Sequence, residues 1–443
     1  MSQSIRIECD WFDQPVSLDP VERRTWAGVR VIIGASTVTR IWDRTANGPR
    51  SSIFIPAFPL ANWLVQNWWA LFHEPSSGPE AEDDISGLSR TGWLRRHSMR
   101  AAASDILLPN LHLFSDGRSM IANWERDNSD QYPQLPGFFL GYGRELIDAT
   151  LAEENFRDFV RQVLDRLRDV DDQRASDLHF NWEAIDRADE AEVAFCRAAG
   201  RLGLDPFDAE SWPKGLAELL EIEIPSRPTG NSIFSDLIET SPPESVIPAW
   251  EWVRIVRENF ELGPISPAGL DGLDPLRKAV GVGYAAAEKA RRLIGLDFDA
   301  PLEDIGSAAG RVGVGTFSFE FRNHIPSSGV RAEVGFSGSQ GPIIVGPESR
   351  LESLRFLEAR GMFQMAFGCA NGPRLITDAH TWDQQASRAF AAELLAPRDG
   401  VRTVFQQRIT ANCSPDEAID FAARHFQVQE RLIENQLRNA RVA

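Results

Sequence analysis

The sequence has seven histidines, His73, His97, His112, His179, His324, His380 and His425. Two histidines one helical turn apart would turn two imidazoles toward one zinc ion, but no pair here has that i, i+4 spacing. The four cysteines, Cys9, Cys196, Cys369 and Cys413, lie far apart with no C-x-x-C. That argues against a zinc ribbon or a dithiol redox pair and reads as four reduced, mostly buried thiols. No G-x-S-x-G marks a serine nucleophile. "GVGYAA" (Gly281 to Ala286) is half of a dinucleotide-binding fingerprint. No strand precedes it and no acidic residue is placed to read a ribose, so it reads as the start of a helix. "GWLRRHSMR" (Gly92 to Arg100) is a local basic patch, read as a solvated helix face in preference to a nucleic-acid site.

The elements that must position any such residues divide the chain into three. At 443 residues it is long enough for two or three domains, and 43% hydrophobic with 25% charged residues is ordinary globular composition. Residues 1–135 read as an α+β region. "VRVIIG" and "SSIFIPA" are strands, with the Asn47-Gly48 turn signal between them. "PLANWLVQNWWALFHE" (Pro59 to Glu74) is one helix, and "LHLFSDGRSMIANW" is a hairpin with Asp116-Gly117 at its tip. Thirteen tryptophans, most of them early in the chain, predict an aromatic-rich core or surface there. Residues 136–270 read as helical, led by the amphipathic "LIDATLAEENFRDFVRQVLDRLRDV". Residues 271–443 run helix, helix, three short strands ("TFSFEF", "RAEVGFS", "GPIIVGP"), helix, linker, helix, helical tail. No segment reads as a signal peptide or a membrane span, so the expected location is cytoplasmic. A net charge of −18 weighs against phosphate-driven nucleic-acid binding.

Within residues 275–443, several stretches resemble the ImmA/IrrE family of metallo-endopeptidase-like proteins. "AEKARRLIGLDFDAPLEDIGSAAGRVGV" is similar to the family's entry helices and "GPIIVGP" to one of its strands. "LRFLEARGMFQ" stands where the family has Arg-Phe-x-x-Ala-His-Glu-x-x-His, and "QQASRAFAAELLAP" resembles its Glu-x-x-Ala-Asn-x-Phe-Ala-Ala-x-Leu-Leu-x-Pro. "AIDFAARHFQVQERLIENQLRN" is similar to the end of the family's pattern. The resemblance implies an α+β chain ending in a zincin-like helical domain with a small sheet. It places the two zinc-binding histidines on Arg360 and Gln364, the catalytic glutamate on Gly361, and the third ligand on Gln384.

None of these four residues suits that chemistry. A guanidinium stays protonated and has no lone pair for a cation, and glycine cannot act as a base. The amide oxygens of Gln364 and Gln384 are poor ligands for zinc. The scaffold residues survive, because Phe356, Leu357, Met362, Phe363, Phe390, Leu394 and Leu395 keep both helices apolar. The expectation is therefore a catalytically silent, regulatory or binding protein with no cofactor and no metal. By resemblance it would act with a partner protein, in stress response or mobile-element regulation. Arg360 and Arg388 would offer positive charge to a peptide carboxylate or another anion. Two rivals stay open: an active metallopeptidase with ligands relocated to His380, Asp383 and Glu358, and a transcription regulator using the helical middle region.

Overall fold

A computed structural model describes residues 3–12, 17–76, 87–128, 135–224, 232–259, 262–263, 278–322, 329–337, 341–348, 350–367 and 373–442. The chain is mixed α+β and divides into two compact units, residues 1–228 and 229–443. No helix among the described residues is long and apolar enough to cross a membrane.

In the first unit, β1 (Ile5–Trp11), α1 (Pro20–Thr25), β2 (Trp26–Ile33), β3 (Ser36–Thr37), β4 (Ile41–Asp43), β5 (Gly48–Arg50) and β6 (Ile53–Pro56) come first. Then follow α2 (Phe58–Gln66), α3 (Trp68–His73), α4 (Gly87–His97), β7 (Asn110–Ser115), β8 (Met120–Glu125), β9 (Gly137–Phe139) and β10 (Gly143–Ile147). β2 pairs antiparallel with β1, β3 and β6. β8 lies between β7 and β10, and β4 between β5 and β9. Asn47, at φ 50°, turns the short β4–β5 hairpin rather than joining the two longer predicted strands. The Asp116-Gly117 tip joins β7 to β8, with Gly117 at φ 85° and Asp116 Oδ1 accepting from the Ser119 amide (2.7 Å).

The stretch read as one helix over 59–74 is two. The chain breaks at Asn67, which leaves helical geometry at φ −113°, ψ 15° while both its amide and its side-chain Nδ2 donate to the Trp63 carbonyl (3.1 and 2.8 Å) and cap α2. The basic stretch 92–100 is not a solvated face. His97 and Met99 are buried, and Arg96 makes a two-pronged bond to buried Glu74 (2.6 and 2.6 Å). Both ring nitrogens of His97 face oxygens, those of the Leu113 carbonyl (2.6 Å) and Glu74 Oε2 (2.9 Å), so the ring ties the end of α4 to β7 and to Glu74.

Four helices close this unit: α5 (Ala149–Leu167), α6 (Gln173–Asp186), α7 (Glu190–Arg201) and α8 (Leu216–Glu223). Helix α5 starts at Asp148, whose carboxylate accepts from the Thr150 and Leu151 amides, and it buries Phe156, Phe159, Val160 and Val163. It packs on β1, while α7 meets α3 through Gly200, where a Cβ would come 2.4 Å from the Trp69 carbonyl oxygen. The tryptophans are core residues here: Trp63, Trp68, Trp69, Trp124 and Trp182 are buried in one cluster. Helix α5 buries its apolar stripe on the N-terminal strands and so belongs to the same compact unit, residues 1–228.

The second unit holds α9 (Ser232–Ile238), α10 (Val246–Asn259), β11 (Leu262–Gly263), α11 (Ala279–Ile294), α12 (Ile305–Arg311), β12 (Ser318–Phe321), β13 (Val330–Ser337) and β14 (Gly341–Gly346). It ends with α13 (Leu351–Phe367), β15 (Arg374–Thr377), α14 (Trp382–Leu395), α15 (Arg398–Thr410), α16 (Pro415–Phe426) and α17 (Glu430–Val442). Its sheet runs β11-β13-β14-β12, with β15 also on β13; only the β12–β14 pair is parallel. "GVGYAA" lies inside α11, and Gly283 lets that helix rest on α14. A Cβ at 283 would meet the Ala386 carbonyl oxygen at 2.3 Å. The predicted linker after α13 contains a strand, β15, whose four residues are all buried.

One sheet face packs on α13 and α14 through Ala332, Val334, Ile344 and Ile376. The other carries Ile343 and Val345, which cluster with Val256 and Trp252 of α10. Glu333 pairs with Val345 and so points to this second face. It is fully buried, and neither carboxylate oxygen has a hydrogen-bond partner. Burial pushes its pKa up to about 8, with only Arg257 opposing. Because the folded state holds this proton while an unfolded glutamate releases it near its ordinary value of 4.5, Glu333 lowers stability progressively as pH rises from 4.5 to about 8. Glu333→Gln should thus be more stable than the wild type by a margin that grows over this range and levels off above it, reaching on the order of 4 kcal/mol. Urea unfolding of both proteins from pH 5 to 9 measures that margin.

Candidate functional site

Three of the positions singled out from the sequence, Arg360, Gln384 and Arg388, gather on the outer edge of β15. This strand pairs with β13 on one side only, so the backbone groups of Leu375 and Thr377 point away from the sheet. Buried backbone groups need partners, and here side chains supply all four. Asp236 of α9 accepts from the Leu375 amide (3.0 Å). Gln384 of α14 donates from Nε2 to the Leu375 carbonyl (2.8 Å) and accepts at Oε1 from the Thr377 amide (3.1 Å). The Thr377 carbonyl accepts from Arg360 (2.7 Å) and from Arg388 (3.2 Å). The Gln384 amide thus takes the place of a neighbouring strand.

Arg360 is 2% exposed and lies between α13 and α14. Besides the Thr377 carbonyl it donates to Gln384 Oε1 (2.6 Å) and to Ser387 Oγ (3.2 Å). Burial, then the like charge of Arg388, holds its guanidinium well below its ordinary pKa, and Asp378 only partly opposes them. Arg388 is half-buried and also donates to the Ala379 carbonyl (2.7 Å); burial brings its pKa down to about 10. Gln364, one turn after Arg360, is 1% exposed, and its Nε2 has no hydrogen-bond partner. Arg360 and Gln384 are therefore in direct contact, and Arg388 shares a carbonyl with Arg360.

Gly361 has a packing reason. A Cβ there would sit 3.2 Å from Ile344 Cδ1, 3.2 Å from Val334 Cγ2 and 3.3 Å from Phe317 Cε1, so the missing side chain lets α13 lie close on the sheet. A carboxylate at this position would be pressed against those apolar groups.

His380, Asp383 and Glu358 point to different surroundings. Burial, then Arg388, lowers the His380 pKa to about 4, while Asp383 lies 3.6 Å from Arg374. Glu358 is raised by burial and interacts with Arg355 and Asp304. Among the described residues, no three His, Cys, Asp or Glu side chains are placed to hold a metal ion. Cys196 is buried, Cys9 and Cys413 are half-buried, and Cys369 lies outside the described residues.

Sequence reasoning did not single out Asp236, Thr377, Arg374 or Arg331. Asp236 meets Arg374 in a buried two-pronged bond (2.7 and 2.7 Å) across more than a hundred residues of chain. Burial opposes the Arg374 charge, but Asp236 outweighs it and holds that guanidinium above its ordinary value. No spacing signal marks such a pair. In the first unit, a cleft of about 460 Å³ between α5 and α6 and one of about 310 Å³ beside Arg96 and Trp69 are lined by mixed charges and apolar groups.

Comparison with known proteins finds no family model, no curated protein and no solved structure that matches this chain.

The edge network makes Gln384 the side chain whose loss should cost most. Gln384→Ala strands the buried Leu375 carbonyl and Thr377 amide, and should lower stability by about 2–4 kcal/mol. Gln385→Ala, one position along the same helix, should cost under about 1 kcal/mol in the same urea titration.

Proposed function

We propose that this chain is a regulatory or binding protein whose C-terminal unit is a catalytically silent relative of the ImmA/IrrE frame. One observation carries the reading. Where the resemblance would put zinc, between α13 and α14, a guanidinium lies instead, bonded to Gln384, Ser387 and the Thr377 carbonyl. A fixed cation repels a metal ion, and its partners have their lone pairs turned to it. Gly361 on the sheet side supplies no base, and its packing leaves no room for one. The frame is then free to serve as a surface for a partner protein, with the first unit as a separate folded body for a second contact.

Elemental analysis of protein purified without a metal-affinity tag tests this reading. Zinc should be far below one per chain. Near-stoichiometric zinc that is lost on His380→Ala would overturn it and favour a relocated hydrolytic site.

A further inference from the structure

The charges around the 377–380 turn do not balance. Arg360 and Arg388 point at one carbonyl oxygen, that of Thr377, which brings two guanidinium groups close together. Neither has a carboxylate within ion-pairing distance among the described residues. Each hydrogen-bonds only neutral oxygens, those of Thr377, Gln384, Ser387 and Ala379. A third guanidinium, Arg331, stands at the same turn, paired with Asp378 (2.5 Å) and under the further negative charge of Glu348. His380 adds no charge above about pH 4. Arg360 and Arg388 are thus left without a carboxylate of their own. Buried cations are normally paired.

A bound anion would supply the partner that Arg360 and Arg388 lack. From these groups we infer that the turn at Thr377–His380 binds a compact oxyanion, a phosphate or carboxylate group. Arg388 is half-buried and Arg331 is 61% exposed at its side chain, so both can be reached from solvent. Arg360 lies beneath them and adds its charge at short range through a medium less screening than water. A guanidinium fork matches two oxygens of a phosphate or carboxylate at once. Asp378 occupies Arg331 when no ligand is bound and competes with the anion for it. The inference treats this part of the proposed binding frame as a ligand site and names its class of ligand. It stands apart from the zinc question, because anion binding and metal content are read separately.

Calorimetric titration of the full chain with inorganic phosphate and, separately, with N-acetylglutamate distinguishes a phosphate from a carboxylate source. At least one should bind, with millimolar affinity or better. Asp378→Asn should strengthen that binding several-fold by removing the competing carboxylate, a change that a purely structural turn would not produce. Arg331→Ala, at an exposed position, should weaken it about tenfold, as should Arg388→Met if that protein keeps its fold by circular dichroism. If neither anion binds, or if binding is indifferent to both Asp378→Asn and Arg331→Ala, the inference fails.

Discussion

The second unit depends on how the outer edge of β15 is closed. An edge strand presents unpaired amides and carbonyls, and in a buried edge each would cost about as much as a lost hydrogen bond. Here Asp236, Gln384, Arg360 and Arg388 take up the four groups of Leu375 and Thr377. These side chains come from α9, α14 and α13, so three helices are fixed to the sheet by one short strand. Helix α9 is held further by the Asp236–Arg374 pair, a buried ion pair whose disruption would leave a bare charge inside.

The same device recurs away from β15. Arg291, 4% exposed, donates to the carbonyls of Leu394 (2.7 Å) and Ala300 (2.7 Å), joining α11 to the end of α14 and to the following loop. Arg355 holds the Glu303 carbonyl (3.0 Å) and, more closely, that of Leu302. A guanidinium carries five donors and no acceptor, so one buried arginine can satisfy several carbonyls at loop ends. Lysine offers a single charged nitrogen and would not span these groups. An acidic chain of net charge −18 therefore keeps part of its positive charge inside, on structural duty. Two glycines complete the packing: Gly283 brings α11 onto α14, and Gly361 brings α13 onto the sheet.

Much of this was legible in the sequence, and the limits have physical causes. The strands of "RAEVGFS" and "GPIIVGP" and the helices of "RAFAAELLAP" and "YAAAEKARRLIGL" follow from apolar period and from the Gly295 stop, which is left-handed at φ 77°. "RLIT" gives little strand signal, because it is short, starts with a charge and follows a glycine-rich stretch. Its burial comes from β13, outside any local window. The sequence shows only that Gly361 cannot be a base, since the contacts that favour a glycine there come from Ile344, Val334 and Phe317 on other elements. The resemblance implies that Arg360, Gln364 and Gln384 lie together, and the hydrogen bond between Arg360 and Gln384 brings two of the three into contact. It does not imply their shared partner, the β15 backbone. Glu333 carries no local signal of burial, because the α10 residues that cover its sheet face lie far away in sequence.

For the proposed function, the consequence is that Arg360 and Gln384 act as structure beneath β15, while Arg388 and Arg331 carry positive charge within reach of solvent. Both statements rest on Gln384 and Arg360 closing the β15 edge. Amide hydrogen exchange at Leu375 and Thr377, followed by NMR, tests that closure most directly. Both amides should exchange as slowly as the core of β13, near the rate set by global unfolding, and Gln384→Ala should speed Thr377 selectively. Exchange of both at the rate of an open edge strand in the wild-type protein would contradict the account.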